Sequence, residues 1–445
     1  MKIRLYNTLS WKKEVFKSRK LRKAEMYTCG LTVYNYAHIG NLRTYIFEDV
    51  LRRVLEFNHY KVHQVMNITD VGHLVSDADT GEDKLEKAAK EKNKNAWELA
   101  RFYTKEFKSD LDKLNIEKPQ SMPKATKFVS QMVDLVKKLE EKGYTYKTSD
   151  GIYFDTSRFK RYGEMAKLDI KGLKEGIRVE KNKEKKNPTD FALWKFSKKG
   201  ERQMEWDSPW GNGFPGWHIE CSAMSMRYFG PTFDIHCGGI DHIPVHHTNE
   251  IAQSEAATGK KYVNYWLHGE FLLIDKKKMA KSKGNFYRLK DLEDKGFTPL
   301  DFRFFILTSH YRTKLSFAFD KLEKAKKELV GIRKKIATLK SESIKEEDKR
   351  EVLMALNDDL DTSRAISLLQ KKNNKNLWLM FDKVLGLGLS RESELSNEEQ
   401  QLLKDREVAR KNKNFKKSDE IRDQLKKLGI EVEDTKDGQN WVKTI

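Results

Sequence analysis

The chain has 445 residues, of which 38% are apolar and 35% charged, and it carries a formal net charge of +20. This length exceeds what one hydrophobic core organises and predicts two to four domains, while the even spread of apolar residues argues against long disorder. Its three cysteines are far apart and no segment reaches the roughly 18 consecutive apolar residues of a membrane span, which excludes a disulfide framework and predicts a cytoplasmic protein without membrane contact.

The first third of the chain alternates between strand and helix patterns. Residues 24–30 form a short apolar run that ends in glycine, and residues 60–70 are rich in β-branched side chains and end in turn formers. Between them, residues 41–57 repeat apolar side chains at helical spacing. This order predicts a βαβ unit in a parallel sheet, which binds ligands at the carboxyl ends of its strands.

The pattern changes between about residues 115 and 200, which predicts an α+β unit inserted within the sheet domain. A lysine-rich helix is expected at 126–142 and a hairpin at 144–156. The alternation of strands and helices resumes at 232–239 and 263–275.

A helical region begins near Phe319, because apolar residues there step by three and four positions, as in a helix bundle. The last section predicts a pair of helices, a glycine stop and a short extended piece. The expected organisation is an α/β Rossmann-like domain at 1–310 with the insertion at 115–200, a helical bundle at 311–390 and a small C-terminal domain at 391–445.

Two short stretches carry residues suited to phosphate. The stretch AHIGN (37–41) lies between the first strand and the first helix, where glycine permits close backbone approach and the helix start offers unpaired N–H groups. The stretch KKKMAKSKGNF (276–286) follows a strand-like run and supplies several lysines in a movable loop. Each alone is commonly structural or a solvated surface, and the specific signal is their pairing on one predicted sheet.

With these residues the chain resembles the class I aminoacyl-tRNA synthetases, since HIGN matches the HIGH motif and KMAKS matches KMSKS. Asn41 and Ala280 depart from the two motifs, and both motif lysines are kept. Further stretches narrow the resemblance to the cysteinyl-tRNA synthetase family along essentially the whole chain. They are YTCGLTVYNYAHIGNLRTYIFEDVLRR, NITDVGHL, DFALWK, GWHIECSAM, HHTNEIAQSEA, YWLHGEFLL, KMAKSKGNF and SDEIRDQLKKLGIEVEDT.

The resemblance implies ATP-dependent ligation of L-cysteine to tRNA(Cys) through a cysteinyl-adenylate, with Mg²⁺ accompanying ATP. It assigns His38 and Asn41 to the phosphates of ATP. It also assigns Lys278 and Lys281 to the side of the β- and γ-phosphates, where they close over the nucleotide as charge develops.

Four other residues have expected roles at the substrates. Asp241 is expected to contact the ribose of ATP, Trp217 to wall the cysteine pocket and Thr69 to contact the amino acid. Trp441 resembles the anticodon-reading tail of the family. The helical bundle and the C-terminal domain are therefore expected to bind tRNA. The phosphates of tRNA would account for the chain's positive net charge.

The segment HCGGIDHIPVHHTNEI (236–251) is rich in histidine and yet shows none of the usual zinc spacings. His246 and Glu250 are four residues apart, so a helix places both on one face. The family resemblance assigns Cys29, Cys221, His246 and Glu250 as ligands of one Zn²⁺, which explains the missing local spacing. Zinc prefers thiolate to neutral hydroxyl, so direct metal–sulfur bonding selects cysteine over serine.

The remaining residues of this segment are weaker candidates. Cys237, His242 and His247 are less favoured as metal ligands, and His236 is expected to line the nucleotide site.

Two other functions fit parts of the pattern. A ligase that joins activated cysteine to an amino sugar shares the catalytic site and the zinc, but it lacks the C-terminal SDEIRDQL and GIEVEDT stretches. A non-catalytic module that binds zinc and nucleic acid has no need of the HIGN turn or of both KMAKS lysines. The synthetase is the favoured function, and a monomer is the expected state.

Overall fold

The computed structural model describes residues 1–71, 84–168, 184–274, 277–278, 286–389, 395–435 and 438–443. The first elements are β1 (Arg4–Asn7), β2 (Lys12–Val15), β3 (Lys23–Thr28), α1 (Ile39–Phe57), β4 (Lys61–Met66), α2 (Lys84–Glu91) and α3 (Ala96–Lys113). The next are α4 (Val129–Glu141), β5 (Thr145–Lys147), β6 (Gly151–Phe154), β7 (Phe191–Phe196), β8 (Gly213–Pro215) and α5 (Trp217–Phe229).

The second half begins with sheet elements and then becomes mainly helical. It starts with β9 (Phe233–Gly239), α6 (Thr248–Thr258), β10 (Val263–Gly269), β11 (Leu272–Ile274), β12 (Lys277–Lys278), α7 (Leu289–Glu293), α8 (Pro299–Leu307) and β13 (Leu315–Phe317). It ends with α9 (Phe319–Thr338), α10 (Glu346–Asn357), α11 (Thr362–Lys372), α12 (Lys375–Leu385), α13 (Asn397–Lys411), α14 (Phe415–Lys427), β14 (Ile430–Thr435) and β15 (Gly438–Lys443). Every helix in the described ranges is too short or too polar to cross a lipid bilayer.

Four parallel strands form the central sheet in the order β10-β9-β3-β4. The chain runs from β3 through α1 to the neighbouring β4, and it later adds β9 and β10 on the other side of β3. The strand order therefore reverses between β3 and β9, and open α/β sheets bind ligands at the carboxyl ends of strands at such a reversal. The predicted Rossmann-like fold and its first βαβ unit are confirmed.

Helix α1 packs its apolar stripe into the core beside this sheet. Leu42, Ile46 and Val50 recur at helical spacing and are buried. Burial of each such side chain stabilises the fold by roughly 1.5–3 kcal/mol. The helix is thereby held with its first turn near the carboxyl end of β3, at the edge of the sheet where ligands are expected to bind.

An antiparallel sheet in the order β5-β6-β7-β8 lies between α3 and α5 in the chain and contacts α4. The predicted hairpin at 144–156 corresponds to β5 and β6, and the predicted helix at 126–142 corresponds to α4. Their buried side chains share a second core with α5 and α6, so this unit supports one wall of the site. The predicted insertion limits of 115–200 stay a prediction.

Helices α9 to α12 pack with α1 and α8 in the main hydrophobic core. The apolar stripe predicted after Phe319 is buried at Leu322, Leu329 and Ile336. Because one core joins the sheet and the helices, the proposed boundary near residue 310 also stays a prediction.

The C-terminal residues form a small unit with its own core. As predicted, α13 and α14 are followed by a glycine, Gly429, which has a positive φ of 76°. The single extended piece expected after it is wrong, because β14 and β15 pair as an antiparallel hairpin from Ile430↔Lys443 to Thr435↔Gly438. The sequence contains Asp-Gly at 437–438, which is a common hairpin signal.

Candidate active site and metal centre

A cavity of about 520 Å³ opens at the carboxyl ends of β3 and β9, where the strand order reverses. Its walls come from the residues after β3, the first turn of α1, the start of α5 and the turn after β9. It brings together most of the residues singled out in the sequence, namely Cys29, His38, Asn41, Thr69, Trp217, Cys221, Asp241 and His246.

The first turn of α1 presents donors to this cleft. His38 is the N-cap, and its Nδ1 accepts a hydrogen bond from the Asn41 backbone N–H at 3.1 Å. Asn41 returns the contact, because its Oδ1 accepts from the His38 backbone N–H at 3.2 Å. Since Nδ1 and Oδ1 serve as acceptors in the cap, the donors of these side chains are His38 Nε2–H and the Asn41 amide. Both suit an anion, as does the positive end of the helix dipole.

A buried polar chain orients Thr69. The Gly30 backbone N–H donates to Asn67 Oδ1 at 2.8 Å, and Asn67 Nδ2 donates to Thr69 Oγ1 at 2.9 Å. Thr69 Oγ1 in turn donates to Glu220 Oε2 at 3.1 Å. Because the Thr69 hydroxyl donates its one hydrogen to Glu220, its oxygen can only accept a hydrogen bond from a ligand. An ammonium group is a suitable donor to it.

The close approach of two loops depends on glycine. A Cβ added at Gly30 would lie 1.7 Å from the Asn67 carbonyl oxygen, so no side chain fits at this position. Asn67 and Glu220 are not among the predicted site residues, although Glu220 precedes Cys221 directly and Asn67 lies two residues before Thr69.

Trp217 starts α5 and walls the cleft. Its ring centroid lies 4.5 Å from that of His246. Cys221 is one helical turn further along α5, so the same helix supplies an aromatic wall and a thiol. Asp241 is exposed at the opposite edge, in the turn that follows Gly239.

The four side chains predicted as zinc ligands converge although they come from three parts of the chain. Cys29 Sγ lies 4.0 Å from Cys221 Sγ, and His246 Nε2 lies 3.1 Å from Glu250 Oε1. Ligand atoms of Cys29, His246 and Glu250 lie within 4.8 Å of one another, which joins the two pairs. All four residues are buried.

One helical irregularity contributes to this arrangement. His246 belongs to a π turn at Ile243–His247, and Glu250 follows in the first turn of α6. The sequence predicts that His246 and Glu250 share one face of a helix, and their contact shows that they do. Isolated π turns are frequent at functional sites because they re-aim side chains within a helix.

His247 lies closer to this centre than the sequence analysis expected. Its Nε2 is 3.3 Å from Cys29 Sγ and 3.9 Å from Glu250 Oε1. Ligand atoms of Cys29, His246, His247 and Glu250 all lie within 4.8 Å of one another. His247 Nδ1 contacts His268 Nε2 at 2.7 Å, so its ring is held from both sides.

The two carboxylate oxygens of Glu250 lie in different environments. Oε2 accepts hydrogen bonds from His236 Nε2 at 3.0 Å and from the Tyr262 hydroxyl at 3.2 Å. Oε1 is buried and lies 3.1 Å from His246 Nε2. Against the effect of burial, His236 and His246 hold the pKa of Glu250 well below its usual range, so the group is a carboxylate.

The two thiols differ in their surroundings. Burial raises the pKa of Cys29 well above its usual value, while hydrogen bonding with Cys29 lowers the pKa of Cys221. A buried carboxylate beside two thiols is a costly arrangement unless a cation compensates it.

Two separations within the predicted donor set match a tetrahedral ion, although the group whose ligand atoms lie within 4.8 Å of one another contains His247 in place of Cys221. Zinc bound to two sulfurs at about 2.3 Å separates them by roughly 3.8 Å, and its nitrogen and oxygen ligands at about 2.0–2.1 Å are separated by roughly 3.3 Å. The corresponding separations in this site are 4.0 Å between Cys29 and Cys221, and 3.1 Å between His246 and Glu250. Two sulfurs, one imidazole and one carboxylate form a donor set that suits zinc.

The other predicted residues lie elsewhere. His236 does not line the nucleotide site as expected, because its ring is fully buried against Trp266 and Glu250. Cys237 is a buried residue of β9, and its carbonyl accepts from the Cys29 backbone N–H at 3.2 Å. Trp441 lies in β15, half-buried against the small C-terminal core.

The two lysines of KMAKS are only partly within the described residues. Lys278 closes β12, where its backbone pairs with Leu273 of β11. Lys281 lies outside the described residues. The strand β11 that precedes them is paired with β13, close to α1.

Comparisons with known proteins identify the family of this chain. The model of the class I tRNA synthetase (C) catalytic domain matches residues 15–327, and that of the cysteinyl-tRNA ligase anticodon binding domain matches residues 392–441. The cysteine–tRNA ligase of Treponema denticola is 46% identical over 491 residues, covering 100% of both chains. Cysteine–tRNA ligase 1 of Burkholderia lata is 47% identical over 454 residues, covering 99% of this chain and 96% of the relative.

Solved structures extend the comparison at the level of the fold. A Mycobacterium tuberculosis methionyl-tRNA synthetase in complex with methionyl-adenylate superposes with a TM-score of 0.60 over 83% of this chain and 92% of that chain. Its sequence identity is 12%, so the likeness concerns the fold alone.

Proposed function

The chain belongs to the class I cysteine–tRNA ligase family, and from this premise we propose that it activates L-cysteine with ATP and transfers it to tRNA(Cys). One observation carries the proposal. A single cleft joins an anion-binding helix start, at His38 and Asn41, to a buried sulfur-containing donor set that includes Cys29 and Cys221. Nucleotide chemistry and thiol recognition are thus adjacent.

In the first step an oxygen of the cysteine carboxylate attacks the α-phosphate of ATP. The bond to pyrophosphate breaks, and cysteinyl-adenylate forms. Catalysis of phosphoryl-type transfer rests mainly on positioning and charge stabilisation. His38 Nε2–H and the Asn41 amide donate to phosphate oxygens, and Lys278 and Lys281 stabilise the β- and γ-phosphates together with Mg²⁺. Asp241 accepts from a ribose hydroxyl.

The amino acid pocket lies at the other end of the cleft. Zinc held by Cys29, Cys221, His246 and Glu250 would supply a binding site that prefers thiolate to neutral hydroxyl. A pocket that requires this contact rejects serine by a large factor, on the order of 10⁴ by analogy with other polar-group recognition.

Two groups place the rest of the amino acid. Thr69 accepts from the ammonium group of cysteine, because its own hydrogen is committed to Glu220. Trp217 closes the pocket beside His246 and keeps water from the reacting carboxylate.

In the second step the terminal ribose hydroxyl of tRNA attacks the carbonyl carbon of the adenylate, and AMP leaves. The helical bundle and the C-terminal unit with Trp441 bind the tRNA. The match of residues 392–441 to an anticodon binding domain favours tRNA over an amino sugar as the acceptor.

The proposal is tested by measuring metal content together with pyrophosphate exchange driven by cysteine or by serine. We expect about one zinc per chain, exchange with cysteine, none with serine, and charging of tRNA(Cys). Lys281→Ala should slow exchange while cysteine affinity stays unchanged. A metal-free preparation that still rejects serine would contradict the zinc role, and exchange without tRNA charging would point to another acceptor.

A further inference from the structure

Three aromatic rings meet at one edge of the cleft. Tyr36 lines the cavity, and its ring centroid lies 5.0 Å from that of Tyr103 and 6.0 Å from that of Phe102, both in edge-on arrangements. Phe102 and Tyr103 are neighbours in α3. Tyr103 is buried, and its packing accounts for its presence, whereas Phe102 is 39% exposed.

A cationic side chain lies near each of these rings. The Arg288 guanidinium lies 5.0 Å from the centroid of Tyr36, and the Lys94 ammonium lies 5.3 Å from that of Phe102. The Lys92 ammonium lies 4.8 Å from the centroid of Tyr103 and also donates to its hydroxyl. We call these six residues the rim cluster: Tyr36, Lys92, Lys94, Phe102, Tyr103 and Arg288.

The exposed ring of Phe102 in the rim cluster differs in its surroundings from a single aromatic side chain on a protein surface. Single exposed aromatic side chains are common and need no partner. Here the exposed ring of Phe102 has a cation beside it and touches Tyr36, which leads directly into the cleft. Alternating rings and cations are how proteins bind single-stranded nucleic acid, since every base has a face to stack and every link carries a phosphate.

We propose that the rim cluster binds the unpaired 3′ end of the tRNA acceptor arm on its way to the cleft. One base stacks on the exposed face of Phe102, and Lys94 and Lys92 neutralise neighbouring phosphates. Tyr36 then guides the last nucleotide toward the cavity. This inference rests on the proposed function, because it places the acceptor of the second step.

Charge and position favour this occupant over the nucleotide substrate. The groups assigned to ATP phosphates, His38 and Asn41, are in the first turn of α1 inside the cleft, while Phe102 is on a separate helix at the rim. The acceptor end must cross a rim of the cleft to reach the adenylate. At the rim beside Tyr36, Lys92 and Lys94 supply positive charge, while Arg288 is paired with Asp291.

The test compares two RNA ligands and three variants. Binding of intact tRNA(Cys), and of tRNA(Cys) trimmed of its unpaired 3′ nucleotides, is measured with Phe102→Ala, Phe102→Trp and Trp11→Ala. Trp11 is a matched control, because it is also 39% exposed and also carries a cation, the Lys167 ammonium at 4.4 Å from its ring centroid.

We expect Phe102→Ala to weaken binding of intact tRNA by about 5- to 160-fold, the range for loss of one stacked base. It should leave trimmed tRNA and cysteine-dependent pyrophosphate exchange unchanged. Phe102→Trp should restore binding, and Trp11→Ala should have no effect on it. Lys94→Ala should reduce the dependence of tRNA affinity on salt by about one ion.

Three outcomes would overturn the inference. They are equal weakening of intact and trimmed tRNA, no weakening of either, and a raised KM for ATP in pyrophosphate exchange, which would assign the ring to the nucleotide. Charging of tRNA(Cys) by the unaltered protein distinguishes failure of this inference from failure of the proposed function. If it charges tRNA(Cys) while the Phe102 variants match it, only the rim cluster is wrong.

Discussion

His236 Nε2 lies 3.0 Å from Glu250 Oε2, and this buried contact determines which carboxylate oxygen is left for a metal. The Tyr262 hydroxyl donates to the same oxygen at 3.2 Å. The other oxygen, Oε1, faces His246 Nε2 at 3.1 Å. In the proposed zinc site Glu250 would therefore ligate through Oε1, and hydrogen-bond donors to the other oxygen of a ligating carboxylate tune the affinity of the site.

Removing a donor to Glu250 should weaken metal binding. We expect Tyr262→Phe to lower zinc affinity by about tenfold, and His236→Asn by up to about 100-fold, because the carboxylate loses its fixed orientation. The measurement is competition with a chelator in the absence of substrates. Tyr27→Phe is the matched control, since the buried Tyr27 hydroxyl has no hydrogen-bond partner among the described residues. Equal affinity of the Tyr262 and Tyr27 variants would contradict the orienting role.

Cys29→Ser should separate cysteine recognition from nucleotide binding. A serine hydroxyl stays protonated and is a poor zinc ligand, so the variant should lose metal and cysteine affinity while its ATP affinity persists. Metal analysis and two binding titrations measure these quantities. Cys237→Ser provides the control, because Cys237 is an equally buried thiol outside the donor set. Cysteine affinity that survives in Cys29→Ser would end the zinc hypothesis.

Local patterns were sufficient to predict much of the fold. The strand at 24–30, the helix at 41–57 and the strand at 60–70 correspond to β3, α1 and β4, because each follows from spacing within one segment. The assignment of Cys29 and Cys221 came from the family resemblance, whereas the pairing of His246 with Glu250 followed from helical spacing. Cys29, Cys221 and Glu250 are separated by long stretches of chain, and only the packing of α5 and α6 against the sheet brings them together.

The remaining features depend on contacts that no local pattern encodes. His236 contacts Glu250 across two elements, so no local pattern predicts that this histidine lies against Glu250 and away from the nucleotide site. His247 approaches Cys29 because a π turn rotates it, and π turns have no reliable sequence signal. The C-terminal hairpin is the exception, because the Asp-Gly pair at 437–438 is a local signal for its turn.

Trp441→Ala should impair tRNA charging and leave pyrophosphate exchange intact. Trp441 packs half-buried in the C-terminal unit, whose hairpin is fixed by a two-pronged contact of Arg406 with Asp434 at 2.9 and 3.1 Å. Its loss affects both packing and any contact with a base. Trp441→Phe retains an aromatic core residue, so thermal unfolding of both variants separates the two effects. Reduced exchange in either variant would contradict a role confined to tRNA.

Asp110→Asn should stabilise the protein in a pH-dependent manner. Asp110 lies in α3, and burial raises its pKa to about 7, an effect that the nearby Lys113 opposes and Glu106 reinforces. In the unfolded chain the pKa of aspartate is about 3.9. Between these values the folded state binds the proton more tightly, so stability falls as pH rises from about 4 to about 7 and is constant above that.

The neutral amide removes this penalty. We therefore expect Asp110→Asn to raise the free energy of unfolding at pH 8 by an amount on the order of 1–4 kcal/mol, with little change at pH 4. Denaturant unfolding at the two pH values measures the difference, with the exposed neighbour Asp112→Asn as control. A gain of the same size at pH 4 and pH 8 would mean that the effect comes from packing of the amide and not from the proton, because only a titrating group gives a difference between the two conditions.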